Sequence, residues 1–390
     1  MAVSDIQTNN KLIKFTREIN REWVRENMFS PYMSDDVNAI IRRKMELKAG
    51  GEVMNIPLVT RLQGVGVSTG PLVGNEEKID DYGYRIWIEW IRNAVATTKA
   101  EQQKDSADIF GEAKPLLSDW LSEVTRDEII AALMALPTES QPAAGTRVNG
   151  IQYDLSTAAQ RSQWQFDNRD RILFGAATSN NVNMTNTSSA AGDHAGSLAN
   201  VDATADKFTA PNLALLKRVA MGANPRIRPY KTRSGYEYYV CFAGLNTFRD
   251  LKIDLQTVNK DARPREGREI NGAPDNPLFQ DGDQIYDGCI VRLVPEISLF
   301  VSNVWTSLKT AGNGGTRAEP VFLCGQQAAT IAYGQMAKPT FRKEDDYGFV
   351  TGTGIEAAYG VGKIYKKHPK AGTKLVQWGV ATGFFNSASD

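Results

Sequence analysis

Glu52-Val-Met-Asn-Ile-Pro-Leu-Val-Thr-Arg-Leu62 and Tyr84-Arg-Ile-Trp-Ile-Glu-Trp-Ile-Arg92 are two apolar runs separated by a glycine-rich, acidic stretch over residues 63–83. Both have the β-branched and aromatic composition of strands. Pro57 has no N–H to donate to a ladder, so the first strand belongs at an edge or a bulge. In the second, Tyr84, Ile86, Ile88 and Trp90 alternate with Arg85, Trp87, Glu89 and Ile91, and both alternate sets carry large apolar groups. Two long strands around a long tip make an extended hairpin. Such a hairpin is marginal alone and needs another surface to lie on.

The chain downstream turns helical. Thr98 with Glu101 forms a capping box. It opens a long helix in which Ala100, Ala107, Phe110, Ala113, Leu117, Trp120, Leu121 and Val124 keep helical spacing. Pro115 inside it predicts a kink, because its ring faces the carbonyl of Gly111. Thr125 and Glu128 form another capping box, which predicts a separate helix through Ile129, Ile130, Leu133 and Leu136, ended by Pro137. Upstream, Leu12, Phe15, Ile19 and Trp23 give residues 11–26 one apolar stripe. Lys11, Lys14, Arg17, Arg21 and Arg25 form a basic row beside it, and Glu18, Glu22 and Glu26 a third row. Ser34 or Asp35 caps a second helix with Val37, Ile40, Ile41 and Met45 inward, stopped by Gly50-Gly51.

Further on, residues 176–206 are rich in Ser, Asn, Thr, Gly and Ala and read as a surface loop or insertion. A helix is predicted from Asn212 to Met221. Strands are predicted at Tyr236–Phe242, Cys289–Val294, Pro320–Cys324 and Thr373–Phe385, with helices at Asn246–Asn259 and Gln326–Met336. No internal repeat is visible.

With 390 residues, the chain exceeds the roughly 250–300 at which one hydrophobic core stops growing, so more than one structural unit is expected. Hydrophobic residues are 42% and charged residues 23%, which argues against wholesale disorder. Lys+Arg and Asp+Glu are 45 each, so bulk charge does not drive the chain onto DNA or an anionic membrane. The start has no apolar signal core, which speaks against secretion by that route. No stretch reaches the ~18 apolar residues of a membrane span. Cys241, Cys289 and Cys324 lie in apolar strand-like runs and read as buried free thiols of a reducing compartment.

The inventory of reactive groups is thin. Of the two histidines, His194 and His368, each reads as an exposed loop residue without a second histidine placed to share a metal. Gly352-Thr-Gly354-Ile-Glu-Ala357 fits the loose dinucleotide fingerprint. Tyr359-Gly-Val-Gly362 follows at once and leaves no room for the helix that must hold a pyrophosphate, so strand and turn are the better reading. No catalytic residue, cofactor or metal is assigned. Glu76, Glu77, Asp80 and Asp81 cluster at the hairpin tip, where pairing with basic residues of another subunit or plain solvation outweighs cation binding.

Several motifs fall in a recognisable order. They are Arg25-Glu-Asn-Met-Phe29, Ala39-Ile-Ile41, Leu58 to Leu62 with Gly64, Leu72-Val-Gly-Asn-Glu-Glu77, Arg92-Asn-Ala-Val95, Asp105 to Lys114, and Leu117-Ser-Asp-Trp120. Phe279-Gln-Asp-Gly-Asp, Tyr286-Asp-Gly288 and Ala358-Tyr-Gly360 follow later. In this pattern the sequence resembles the major capsid proteins of tailed phages with the Hong Kong 97-type fold, most closely the branch typified by coliphage N-four.

The resemblance implies an α+β fold with an N-terminal arm over 1–48 and an extended β-hairpin loop over 49–97. A peripheral domain with a spine helix would take 98–225, including the insertion at 176–206. An axial domain would take 226–366, and 367–390 would return as a strand to the peripheral domain. It implies self-assembly into hexamers and pentamers of an icosahedral shell around double-stranded DNA, without sequence-specific binding and without a membrane. It also implies a place in the virion after assembly in the host bacterial cytoplasm, with portal, scaffolding and decoration proteins as partners. Trp23, Arg21, Arg25, Glu76, Glu77, Asp80, Asp81, Trp87 and Trp90 become the candidate intersubunit contacts. A β-rich tail or adhesin component, forming trimers or fibres, is the nearer rival, and a two-domain carboxylate-based enzyme the more distant one.

Overall fold

The computed structural model describes residues 27–45, 52–104, 109–182, 193–231, 235–266, 283–342, 346–368 and 371–387, short of positions 63, 65, 70, 78 and 80. In chain order its first elements are β1 (Met33–Ser34), β2 (Ile41–Lys44), β3 (Val53–Val59), β4 (Asp81–Trp87), β5 (Glu89–Thr98), α1 (Lys99–Lys104) and α2 (Ala113–Met134). There follow β6 (Val148–Asn149), α3 (Ala158–Asp167), β7 (Ile172–Phe174), α4 (His194–Ala199), α5 (Ala210–Gly222), β8 (Tyr230–Lys231), β9 (Glu237–Ala243) and α6 (Leu245–Glu266). The last are β10 (Asp283–Tyr286), β11 (Cys289–Leu293), α7 (Pro295–Asn303), β12 (Ala318–Cys324), β13 (Ala329–Phe341), β14 (Val350–Lys363), β15 (Tyr365–His368), β16 (Ala371–Gln377) and β17 (Val380–Asn386).

Two sheets organise these elements. One runs β1-β2-β13-β14-β5, with β6 added on β14. The other runs β10-β11-β9-β12-β17-β7, with β8 on β9. The second sheet is buried on both faces, and its central strands are accordingly continuous apolar runs. Tyr239, Cys241, Leu323 and Phe385 meet α5 and α6 through Leu213, Leu216, Phe248 and Leu251. Val240, Phe242, Phe322 and Phe384 face the larger core, which also holds Ile129, Ile130 and Leu133 of α2. The last strand, β17, lies between β12 and β7. The long strands β13 and β14 pair with each other beside α2.

The helix α2 is tied to the first sheet by polar as well as apolar contacts. Thr125 Oγ1 donates to the Leu121 carbonyl and lies 3.4 Å from the Tyr359 hydroxyl. Arg147 reaches Glu128 at 2.7 Å. The fully buried Lys363 donates to the Leu133 carbonyl at 3.0 Å, and burial pulls its ammonium down to about 7. Arg126 pairs with Glu296 at 3.3 Å and joins α2 to α7.

The hairpin is present as β3 paired antiparallel with β4, and its inner face is decided by its own chain. Met54, Ile56, Leu58, Tyr84 and Ile86 pack on Ala332, Ile364 and Tyr365. Apolar groups occur on both alternate sets because the strand changes sheets at Ile88. Before the break Tyr84 and Ile86 point inward; after it Ile91 does, and β5 pairs with β14. The break is stapled by Asn149. The Trp87 N–H donates to Asn149 Oδ1 at 2.8 Å, and Asn149 Nδ2 donates to the Trp87 carbonyl at 3.0 Å. The backbone approaches so closely that a Cβ at Gly360 would collide with the Trp87 carbonyl, and one at Gly362 with the Tyr84 hydroxyl. The Tyr-Gly-Val-Gly run of the failed fingerprint is therefore a packing surface, in the strand the sequence predicts there.

Several expectations are corrected. The helix expected from Ser34 or Asp35 is instead a turn and β2, because Ile41 pairs in parallel with Met33 and Ala329 on either side. The helix at Gln326–Met336 is β13, whose partners β14 and β2 outweigh its alanine-rich local propensity. Pro115 does not kink a helix; it stands in the first turn of α2, where its missing N–H has no intrahelical partner to lose. Thr125 lies inside that helix and caps nothing. Residues 176–206 are not simply a surface loop: α4 places His194, Ser197 and Leu198 in the interior. The final strand is split at Trp378-Gly379, where a Cβ on Gly379 would meet the Gln326 carbonyl at 2.5 Å. The amphipathic helix expected at 11–26 lies outside the described residues.

All three cysteines are buried free thiols, and burial pushes Cys289 up to about 12. The native chain should give no reaction with a thiol reagent such as Ellman's, and three equivalents once denatured. Gly360→Ala should lower stability by about 1–3 kcal/mol in urea denaturation, because backbone atoms rather than a side-chain end must yield.

Candidate assembly surfaces

The outer face of the hairpin has no cover among the described residues. Val53, Val59 and Arg85 are exposed there, opposite the buried Ile56 and Tyr84. Beyond the paired strands the tip presents Leu72, Val73 and Ile79, which are 63%, 82% and 62% exposed. Exposed apolar groups mark surfaces that another macromolecule covers where they form a contiguous patch.

The acidic residues of the tip shape it locally. Glu76 accepts the Gly74 N–H at 2.7 Å, and Glu77 accepts the Gly64 N–H at the same distance. Gly74 has φ +91°, a left-handed conformation that favours glycine. Asp81 begins β4 and is exposed, whereas Asp80 lies outside the described residues. Among the described residues no group of three or more His, Cys, Asp or Glu side chains is placed to hold a metal.

The tryptophans divide at the sheet change. Trp87 is half-buried where β4 ends, with its backbone held by Asn149. Trp90 sits on β5 and is 51% exposed. Trp23, Arg21 and Arg25 lie outside the described residues. The geometry therefore brings Glu76 and Glu77 together at the tip and places Trp90 elsewhere, on the outer part of the first sheet.

A second surface lies where the hairpin's far end meets the second sheet. Val59, Thr60 and Arg61 border a cleft of about 460 Å³ completed by Met221, Ile227 and Trp378 among others. Residues 224–228 form its wall and are held by several polar contacts, one of them from the Ile227 N–H to the Ala220 carbonyl at 3.3 Å. Asp170 accepts the Asn224 N–H at 2.7 Å, and Arg171 donates to the Pro225 carbonyl at 3.3 Å. The Tyr239 hydroxyl donates to the Ile227 carbonyl at 3.0 Å, and the Gln326 N–H to the Arg228 carbonyl at 2.7 Å. Ile227 is buried while Arg226 and Arg228 on either side are exposed, as an extended backbone requires. No sequence motif marks this cleft, because its parts come from separate segments.

His194 belongs to the interior, contrary to the exposed loop the sequence suggests. It is 3% exposed, ringed by Tyr153, Trp164, Phe174 and Phe384. Its Nε2 lies 3.0 Å from the Tyr153 hydroxyl, and its Nδ1 is buried without a partner among the described residues. Burial, with the nearby Arg161 charge, pulls its pKa from 6.5 down to about 3. This is a neutral core histidine, with no hydrogen bond to a nucleophilic thiol or a carboxylate among the described residues.

A hairpin face and tip left uncovered by the described residues are what an assembly subunit presents. The chain matches the phage capsid protein family over residues 7–382 and belongs to it. A chain of the cyanophage Pam1 capsid asymmetric unit is 34% identical over 100% of both chains, with a TM-score of 0.83. The capsid of Ralstonia phage GP4 is 17% identical over 100% of this chain and 99% of that one, with a TM-score of 0.65. The head of Helicobacter pylori bacteriophage KHP40 is 14% identical over 98% and 96%, with a TM-score of 0.59. The last two speak for the fold alone, which is the α+β Hong Kong 97-type capsid fold. No curated protein sequence matches. The chain is a phage major capsid protein, a structural component of the virion and not an enzyme.

The buried histidine carries a pH signature. Because its folded pKa is depressed, its contribution is complete above the unfolded value of 6.5 and is lost as pH falls toward 3. Wild type should lose up to about 1.4 kcal/mol per pH unit more than His194→Gln across that window, read by chemical denaturation at each pH.

Proposed function

We propose that copies of this chain assemble into hexamers and pentamers and close an icosahedral shell around the double-stranded DNA of a tailed phage. The observation that carries this reading is the hairpin, which buries one face within its own chain while the other, with the tip, is exposed among the described residues. Contacts of ordinary strength then add up by multivalency around a closed shell. Zero net charge suits the task, since a strongly basic wall would collapse the genome onto the shell while a neutral one leaves packaging to a motor.

The finer assignments rest on the sequence resemblance. The chain would belong to the branch typified by coliphage N-four and assemble in the host bacterial cytoplasm with scaffolding and portal proteins, and with decoration proteins added. Residues 1–48 would act as an arm and 49–97 as the extended loop, with 98–225 and 226–366 as peripheral and axial domains and 367–390 returning to the former. Trp23, Arg21, Arg25, Glu76, Glu77, Asp80, Asp81, Trp87 and Trp90 are the contacts we assign to neighbours.

The purified protein should give shells, capsomers or tubes in sedimentation and electron microscopy, and a stable monomer would overturn the reading. Trp90→Ala should leave circular dichroism and melting of the disassembled chain unchanged while weakening assembly. A buried interface tryptophan is worth roughly 2–4 kcal/mol on truncation. Wild-type assembly by this variant would remove Trp90 from the interface.

A further inference from the structure

We infer that the cleft rimmed by Arg61, Arg226 and Arg228 is the receptor for the hairpin tip of a second copy of this chain. The inference rests on the assembly reading and adds where the tip goes.

The cleft is built before anything enters it. Its wall at residues 224–228 is pinned by Asp170, Arg171, Tyr239 and Gln326, so Arg226 and Arg228 project from a fixed backbone. A site organised in advance loses less entropy when a partner docks. Its lining combines apolar groups, Val59, Met221, Ile227 and Trp378, with basic ones. Other charges there are already matched within the chain: Lys217 pairs with Asp287 at 3.0 Å and Glu237 with Lys231 at 2.9 Å. Arg61, Arg226 and Arg228 make no ion pair among the described residues. The cleft therefore asks for a ligand that is apolar at its centre and anionic beside it.

The tip has that chemistry. Leu72 and Val73 are its most exposed apolar side chains, and Glu76 stands a few residues on without a cation partner among the described residues. Among the described residues of the single chain the two surfaces do not meet, because Val73 is 82% exposed and no described residue of 62–80 lines the cleft. Two complementary surfaces that stay apart within one chain are satisfied only between chains. A tip-to-cleft contact is head-to-tail, and head-to-tail contacts repeat until a ring closes. That is the symmetry a capsomer needs.

The test uses full-length chains. Val73→Cys and Met221→Cys are made in separate chains, co-assembled and treated with a short bismaleimide; the native thiols are buried and stay silent. Cross-linked dimers from the mixture, and none from Val73→Cys alone, are the expected result. In parallel, Arg226→Glu with Arg228→Glu should cut the yield of pelletable shells by roughly tenfold or more, because like charges then face Glu76. Glu76→Arg in the same chain should restore it, with circular dichroism unchanged throughout. Three results overturn the inference while leaving the assembly reading intact: shells without the cross-link, wild-type shell yield from the double variant, or normal shells that retain less DNA, which would make the arginines a nucleic-acid contact. Absence of shells from wild type would instead bring down the assembly reading, and this inference with it.

Discussion

The polypeptide leaves one sheet and enters another at Trp87, and the hairpin beyond depends on how that crossing is held. Asn149 bonds both the N–H and the carbonyl of Trp87, as a neighbouring strand would. Gly360 lets β14 approach the same carbonyl. An unpaired buried peptide at this point would forfeit a hydrogen bond at each end. A side chain in place of the glycine would push the hairpin off the sheet. One buried amide and one missing Cβ thus set the direction in which the hairpin leaves the body.

Around that crossing the chain separates rigidity from availability. The second sheet, α2 and the aromatic cage about His194 are closed on themselves, down to a neutral imidazole and a lysine pulled toward neutrality by burial. The hairpin keeps only its inner face for this body. Its outer face, the tip and the arginine-rimmed cleft are left uncovered by the described residues. A subunit of a closed shell needs this division, because its interfaces are completed only by other copies.

Net charge conceals this arrangement. Acidic and basic residues balance over the whole chain, yet Glu76 and Glu77 gather at the tip while Arg61, Arg226 and Arg228 gather at the cleft. Local complementarity of this sort governs which surfaces meet and in what orientation, while overall charge governs only the response to a distant polyelectrolyte.

What the sequence determined by itself is whatever depends on neighbours along the chain. The strand runs about Ile56 and Ile86, the cap at Thr98, the apolar core face of α2, the burial of the cysteines and the exclusion of a dinucleotide site at Gly352–Gly362 were all legible from local pattern. The motif order from Arg25 to Trp120 pointed to the family. Only the tertiary structure decided what depends on distant partners. Ile41 and Ala329 are strand residues because they pair with each other across almost the whole chain. His194 is buried because four aromatic rings from separate elements close over it. Trp87 and Trp90 share one apolar run, and the change of sheet at Ile88 alone sends them to different surroundings. The cleft was invisible for the same reason: residues 59–61, 221–228 and Trp378 have no common pattern in sequence, and long-range packing alone brings them together.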